Sequence, residues 1–270
     1  MIIYCISAVI IYNLIDKLKQ KLYFYPSSYI ASTKYKIINI TNITNITNIT
    51  NNHYALINNK SRILKTNKNC LLISHGNAGN ITNRDYLLEK LDNYDGDIYC
   101  YEYPGFGLCK GSISISNCVD THIFWLDNLS KKYPKIDLWG ESIGGGIVIE
   151  TLCKLNNTSH QNIINKINKI YLQSTFSSIY NVVKSINPLL SKFYYLLLFD
   201  DLETSKNLAH CDYTSKFKNN EIIILHSKSD EIIPFREAEI NYNKCMENKL
   251  NVNLIEIKGT HNNIILPKLF

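Results

Sequence analysis

The chain has 270 residues, 45% of them hydrophobic and 19% charged, enough apolar material for one large folded domain plus a short extension. Its net charge of +6 comes from scattered lysines rather than a dense basic run interleaved with aromatics, which argues against nucleic acid as a partner. None of the eight cysteines stands in Cys-x-x-Cys spacing and the seven histidines show no paired-ligand pattern, so neither a metal site nor a cofactor is expected.

Ile2 to Ile15 is strongly apolar, broken by Ser7 and Asn13, and is followed by Lys17, Lys19 and Lys21. The run is shorter than the ~17–25 residues that usually span a bilayer. It also lacks the charged start and small-residue cleavage site of a secretory signal. A short signal anchor, a packed helix and an uncleaved interfacial anchor all fit. In either anchor reading the lysines keep the remainder in the cytoplasm. That side suits the reading of Cys5, Cys70, Cys100, Cys109, Cys118, Cys153, Cys211 and Cys245 as free thiols in a reducing compartment.

Asn39 to Thr50 repeats Asn-Ile-Thr four times. The units are formal glycosylation acceptors, as is Asn80-Ile81-Thr82, but a period of three fits neither strand nor helix, and an irregular low-complexity segment is expected. The chain thus divides into an apolar segment at 1–22, a candidate membrane anchor; a linker at 23–52; and a folded domain at 53–270. Within that domain strands are expected at Cys70–Ser74, Asp97–Tyr103, Lys135–Trp139, Lys169–Gln173, Glu221–His226 and Val252–Ile257. Helices are expected at Arg84–Leu91, Cys118–Tyr133 and Ile147–Leu155. This alternation implies βαβ units and a mostly parallel sheet.

Gly140-Glu141-Ser142-Ile143-Gly144 lies between a strand-like and a helix-like run. A serine on so sharp a turn projects its hydroxyl above the sheet, on a strained backbone that needs glycine neighbours. The helix that follows offers free N–H groups and a positive dipole end to a developing oxyanion. Chance supplies such a pentapeptide in about a tenth of chains this long, so the reading depends on its company. Asp230 follows the strand at Glu221–His226, and His261 follows the last strand. Both therefore fall at the edge of an open α/β sheet where catalytic groups collect. Ser142, Asp230, His261 is the chain order of nucleophile, acid and base in an α/β-hydrolase triad, with Glu231 a rival for the acid. His75 and His226 read as loop-pinning residues. The His-Gly turn after Ser74 supplies an oxyanion-hole candidate: the backbone N–H of Asn77, paired with that of Ile143.

Five segments resemble the α/β-hydrolase superfamily: His75-Gly-Asn-Ala-Gly-Asn80, Tyr101-Glu-Tyr-Pro-Gly-Phe-Gly107, Trp139-Gly-Glu-Ser-Ile-Gly144, His226-Ser-Lys-Ser-Asp-Glu-Ile-Ile-Pro234 and Gly259-Thr-His261. The likeness covers roughly residues 53 to 270. It is nearest to the small subfamily of α/β-hydrolase-domain proteins that includes membrane-associated protein depalmitoylases. The resemblance implies an α/β-hydrolase fold: a mostly parallel central sheet, helices on both faces and a small cap region. It implies a cofactor-independent serine hydrolase acting on an ester or thioester of a small molecule, lipid or acylated protein, at a membrane surface or in the cytoplasm. Activity should rise through roughly pH 6 to 7.5, as a histidine base requires. The same triad also fits a serine aminopeptidase, and the fold a catalytically silent binding module.

The chain departs from the family in three places. The Asn-Ile-Thr repeat occupies the position of the family's first strands, so that sheet edge is expected to be rebuilt or lost. The sequence stops nine residues after His261, which shortens or removes the usual final helix. Only Cys5 stands where the depalmitoylases carry several N-terminal cysteines. Phe176 to Phe199, at the cap position, is aromatic and apolar, either a packed helix or the lining of an acyl-chain pocket.

Overall fold

The computed structural model describes residues 14–15, 17–43, 50–59, 69–156, 160–189, 191–192, 202–210 and 220–269. Most of the apolar run at 2–15, Cys5 and Cys211, the centre of the Asn-Ile-Thr repeat and Phe193 to Phe199 lie outside them. Alternating apolar strands build one nine-stranded sheet. Its strands are β2 (Lys36–Ile43), β3 (Thr50–Asn58), β4 (Asn69–Ser74), β6 (Asp97–Tyr101), β7 (Lys135–Glu141), β8 (Ile167–Gln173), β9 (Glu221–Ser227), β10 (Val252–Thr260) and β11 (Asn263–Ile265). They run in the order β11-β10-β9-β8-β7-β4-β6-β3-β2. From β10 to β6 every pair is parallel; β11 at one edge and β3 and β2 at the other are antiparallel. Two short strands, β1 (Tyr25–Pro26) and β5 (Ala78–Gly79), pair separately.

The strand period of two sorts side chains onto two faces. Cys70, Leu72, Leu138, Leu172 and Ile224 enter one core with the helices α2 (Ile115–Ser130), α3 (Ile143–Asn156) and α7 (Phe235–Glu247). Leu71, Ile73, Trp139, Tyr171 and Leu225 enter the other, covered by α1 (Asp85–Lys90). A sheet buried on both sides needs near-continuous apolar strands, and this explains why Leu71-Leu-Ile73 and Ile222-Ile-Ile-Leu225 were legible as strands. Further helices include α4 (Gln161–Ile164), α5 (Ile179–Ile186) and α6 (Thr204–His210), with a short 3-10 turn at Ile81–Asn83. Both α5 and α6 lie between β8 and β9, and α5 falls within the expected cap segment, Phe176 to Phe199. At α5 the aromatic segment packs inward through Phe176, Ile179 and Tyr180, while Ile186 and Leu189 are exposed.

Two expectations are corrected. The described part of the Asn-Ile-Thr repeat is not irregular: Lys36 to Ile43 pairs residue for residue with Thr50 to Ile57, so the sheet edge is rebuilt, one of the two expected outcomes, while residues 44–49 lie outside the described residues. The reason is non-local. Ala55, Leu56 and Ile57 are buried between β2 and β6, and β3 carries β2 on its outer edge. Ile38 and Ile40 face one core and Ile37 the other, an alternation that begins before the triplet repeat. Second, the cysteines are not all free: Cys70, Cys100, Cys109, Cys118 and Cys245 are buried thiols, but Cys153 is disulfide-bonded. The described residues beyond His261 form no helix. They return as β11 against β10, and Lys90 Nζ donates to the Ile264 carbonyl at 2.6 Å. No helix among the described residues is long and apolar enough to cross a membrane.

Candidate active site

The parallel strands β7, β9 and β10 all end at one edge of the sheet, and each delivers one of the expected residues there. Strand β7 is buried along all but its first residue and gives way directly to α3. The chain reverses at Ser142, whose φ of 55° is the left-handed conformation that costs a non-glycine residue roughly 1–3 kcal/mol. Two main-chain bonds hold it. Ser142 N–H donates to the Gln173 carbonyl at 2.9 Å, and its own carbonyl accepts from Gly145 N–H at 3.0 Å. The neighbouring glycines are required by contact. A Cβ on Gly144 would fall 2.0 Å from the Ser74 carbonyl oxygen, and one on Gly140 2.3 Å from the Gly145 Cα. Ile143 opens α3, where N–H groups lack intrahelical acceptors.

Asp230 is fixed by the turn that follows β9. Its Oδ1 accepts the N–H groups of Ile232 at 3.0 Å and Ile233 at 2.7 Å. Its Oδ2 lies 2.8 Å from His261 Nδ1. Burial pushes the Asp230 carboxyl up, but the His261 bond and the Ile233 and Ile232 donors outweigh it and hold the group below the usual carboxylate range. An ionised carboxylate only accepts, so His261 Nδ1 carries a proton toward it, and Nε2 is the nitrogen facing away from Asp230. The rival acid, Glu231, holds the His261 main chain instead, accepting its N–H at 3.0 Å. His226 is buried, its Nε2–H donating to the Ile233 carbonyl at 2.8 Å, and burial lowers its pKa. It pins the Asp230 turn.

Asn77 stands half-buried in the loop after β4, and its carbonyl accepts Tyr25 N–H at 2.8 Å. His75 before it is fully buried, with Nε2 3.2 Å from Glu102 Oε1 and its ring 4.2 Å from that of Tyr103. The Tyr103 hydroxyl donates to the His75 carbonyl at 2.7 Å. Two residues that shape this loop were not singled out from sequence. The buried Glu102 accepts Ile81 N–H through Oε2 at 3.0 Å, and the buried Glu141 accepts Gly76 N–H at 2.9 Å. The available signal was a carboxylate at or just past the C-terminal end of a buried strand, where burial demands a partner. Three cavities of about 410, 530 and 290 Å³ are lined by none of Ser142, Asp230 or His261. No group of three or more His, Cys, Asp or Glu among the described residues could hold a metal.

Comparison with known proteins places this geometry in context. No family model matches the chain. The uncharacterized protein R595 of Acanthamoeba polyphaga mimivirus is 32% identical over 213 residues, 75% of this chain and 69% of that protein. The lysophosphatidylserine lipase ABHD12 of Xenopus tropicalis is 28% identical over 194 residues, 67% of this chain but only 48% of the lipase. A Saccharomyces cerevisiae protein described as an uncharacterized membrane protein, YNL320W, is 28% identical over 208 residues, 73% of this chain and 66% of that protein. Among solved structures, an alpha-beta hydrolase from Vibrio vulnificus superposes with a TM-score of 0.62 at 15% identity, over 83% of this chain and 75% of that one. The Pyrococcus furiosus esterase Pf2001 gives 0.58 at 16% identity, over 89% and 90%.

Proposed function

The chain belongs to the α/β-hydrolase superfamily, and from that premise we propose that it is a serine hydrolase that cleaves an ester or thioester through an acyl-enzyme. The observation that carries the reading is the 2.8 Å contact between His261 Nδ1 and Asp230 Oδ2, at the sheet edge that also presents Ser142 with φ of 55°. His261 Nε2 takes the proton of Ser142 Oγ as that oxygen attacks the acyl carbonyl. The resulting oxyanion lies against the N–H groups of Ile143 and Asn77. The protonated imidazole, steadied by the Asp230 carboxylate, hands its proton to the departing alcohol or thiol. Water, deprotonated by the same Nε2, then releases the acid and restores Ser142. General base catalysis of this kind contributes about 10²–10⁴-fold, and one oxyanion donor about 10²–10³-fold.

The substrate class is an acyl ester or thioester of a small molecule, lipid or acylated protein. The hydrolase domain is cytoplasmic, either free or held at a membrane surface by the apolar run at 2–15; the lysines that follow that run support the orientation. A panel of acyl p-nitrophenyl esters, acyl thioesters and aminoacyl amides tests the reaction class. Wild type should turn over the esters or thioesters, and Ser142→Ala should not. Turnover confined to the amides would replace the reading with an aminopeptidase.

A further inference from the structure

We propose that Glu141 is a positioning residue, one that locks the loop bearing Asn77 onto the nucleophile elbow. The inference rests on the hydrolase reading and deepens it. An oxyanion hole built from Ile143 and Asn77 draws its donors from two separate elements, the start of α3 and the loop after β4. Its geometry must nevertheless hold to within about 0.5 Å. The Glu141 side chain bridges the two elements. Oε2 accepts Gly76 N–H at 2.9 Å, and Oε1 accepts the Tyr86 hydroxyl. Arg84 Nε stands 3.9 Å from Oε2, and the Arg84 guanidinium donates to the Ala78 carbonyl.

Asn77 is therefore held from both sides. Glu141 fixes the residue before it, Arg84 the residue after it, and Tyr25 N–H its own carbonyl. The approach is close: a Cβ on Gly76 would lie 3.3 Å from Glu141 Oε2. Burial pushes the Glu141 carboxyl up, but Arg84, the Tyr86 hydroxyl and Gly76 N–H together hold it below its ordinary range, so the bonds are charge-assisted. A bare carboxylate beside Ser142 would oppose an oxyanion, and the Arg84 guanidinium offsets that charge. A purely structural role predicts something different: a less stable protein whose folded fraction turns over normally.

The test compares wild type with Glu141→Gln, Glu141→Ala and the double variant Arg84→Met/Glu141→Met. The double variant keeps the fold testable by exchanging the buried pair for apolar side chains of similar size. Two readouts are needed. One is amide hydrogen exchange across residues 74–82. The other is kcat and KM on a short-chain p-nitrophenyl ester, with inhibition by an aryl trifluoromethyl ketone whose hemiketal oxyanion would occupy the same hole. The Ala and double variants should exchange the loop at least about 10-fold faster with the rest unchanged. They should lose about 10²-fold in kcat with KM within about 3-fold, and bind the ketone correspondingly more weakly. Glu141→Gln, which keeps an acceptor oxygen for Gly76, should return both readouts to within about 5-fold of wild type.

Unchanged loop exchange in a folded Ala or double variant overturns the proposal. So does faster exchange with wild-type kcat, or a Gln variant as impaired as Ala. A wild type inert toward ester and ketone, with the predicted exchange pattern, leaves the loop lock standing and removes the hydrolase reading instead.

Discussion

His261 Nδ1 donates to Asp230 Oδ2 at 2.8 Å, while Asp230 Oδ1 is occupied by the N–H groups of Ile232 and Ile233. The two oxygens of one carboxylate thus have separate duties: one is tied to the turn after β9, the other to the imidazole. This division orients the His261 ring, whose main chain Glu231 holds, and it decides the tautomer. Replacing the carboxylate by an amide changes that choice, because an amide can present N–H to Nδ1 and drive the proton to Nε2. Asp230→Asn should fold, yet its kcat on an ester substrate should drop by about 10⁴-fold. Steady-state kinetics on the purified variant check this, and a loss under 10-fold would remove Asp230 from the proposed mechanism.

The elbow is governed by close contact as much as by chemistry. Cβ atoms on Gly144 and Gly145 would lie 2.0 Å from the Ser74 carbonyl oxygen and 2.0 Å from Thr175 Oγ1, respectively, whereas one on Gly146 would lie 3.3 Å from the flexible end of Leu202. Gly144→Ala and Gly145→Ala should each destabilise the protein by about 1–3 kcal/mol or more, and Gly146→Ala should be tolerated far better. Urea midpoints for the three variants give the comparison. Equal midpoints would mean that the backbone around Ser142 yields more readily than its contacts suggest.

His122 in α2 is fully buried, stacked on Tyr101 with ring centroids 5.4 Å apart. Neither ring nitrogen has a hydrogen-bond partner among the described residues. Burial lowers its pKa to about 3. Above the unfolded value near 6.5 the ring is neutral in both states. As the pH falls below that value the unfolded chain binds a proton that the folded chain refuses, so stability declines toward pH 3. Each such group contributes a slope of up to about 1.4 kcal/mol per pH unit. His122→Phe should flatten the stability profile between pH 6 and 4 by up to one proton, leaving a residual slope from His226, whose pKa burial also lowers. Denaturant unfolding at several pH values measures it; an unchanged slope would show that His122 gains a proton without unfolding.

The parallel strands behind the candidate site were legible in the sequence because their signals are local. Leu71-Leu-Ile73 and Ile222-Ile-Ile-Leu225 are apolar runs of strand length, and the candidates Asn77 and Asp230 fall just beyond them. The antiparallel edge was hidden because its signal is not local. Asn-Ile-Thr triplets carry no period of two, and Lys36 to Ile43 becomes a strand only because β3 offers it a partner. Thr41 Oγ1 bonding Asn52 Oδ1 at 3.0 Å is such a cross-strand contact, invisible to any local window. Glu102 and Glu141 escaped notice for a related reason. At the end of an apolar strand a glutamate reads as an exit to solvent, and only the assembled fold shows that Ile81 and Gly76 turn their N–H groups toward these carboxylates.

The proposed chemistry depends on Ser142 being an activated nucleophile, and covalent labelling with a fluorophosphonate probe measures that property without knowledge of the substrate. Purified wild type should be labelled, with the adduct mapped to Ser142, and Ser142→Ala should remain unlabelled. A folded wild type that resists the probe, or one labelled equally after Ser142→Ala, would contradict the assignment of this edge as a serine hydrolase site.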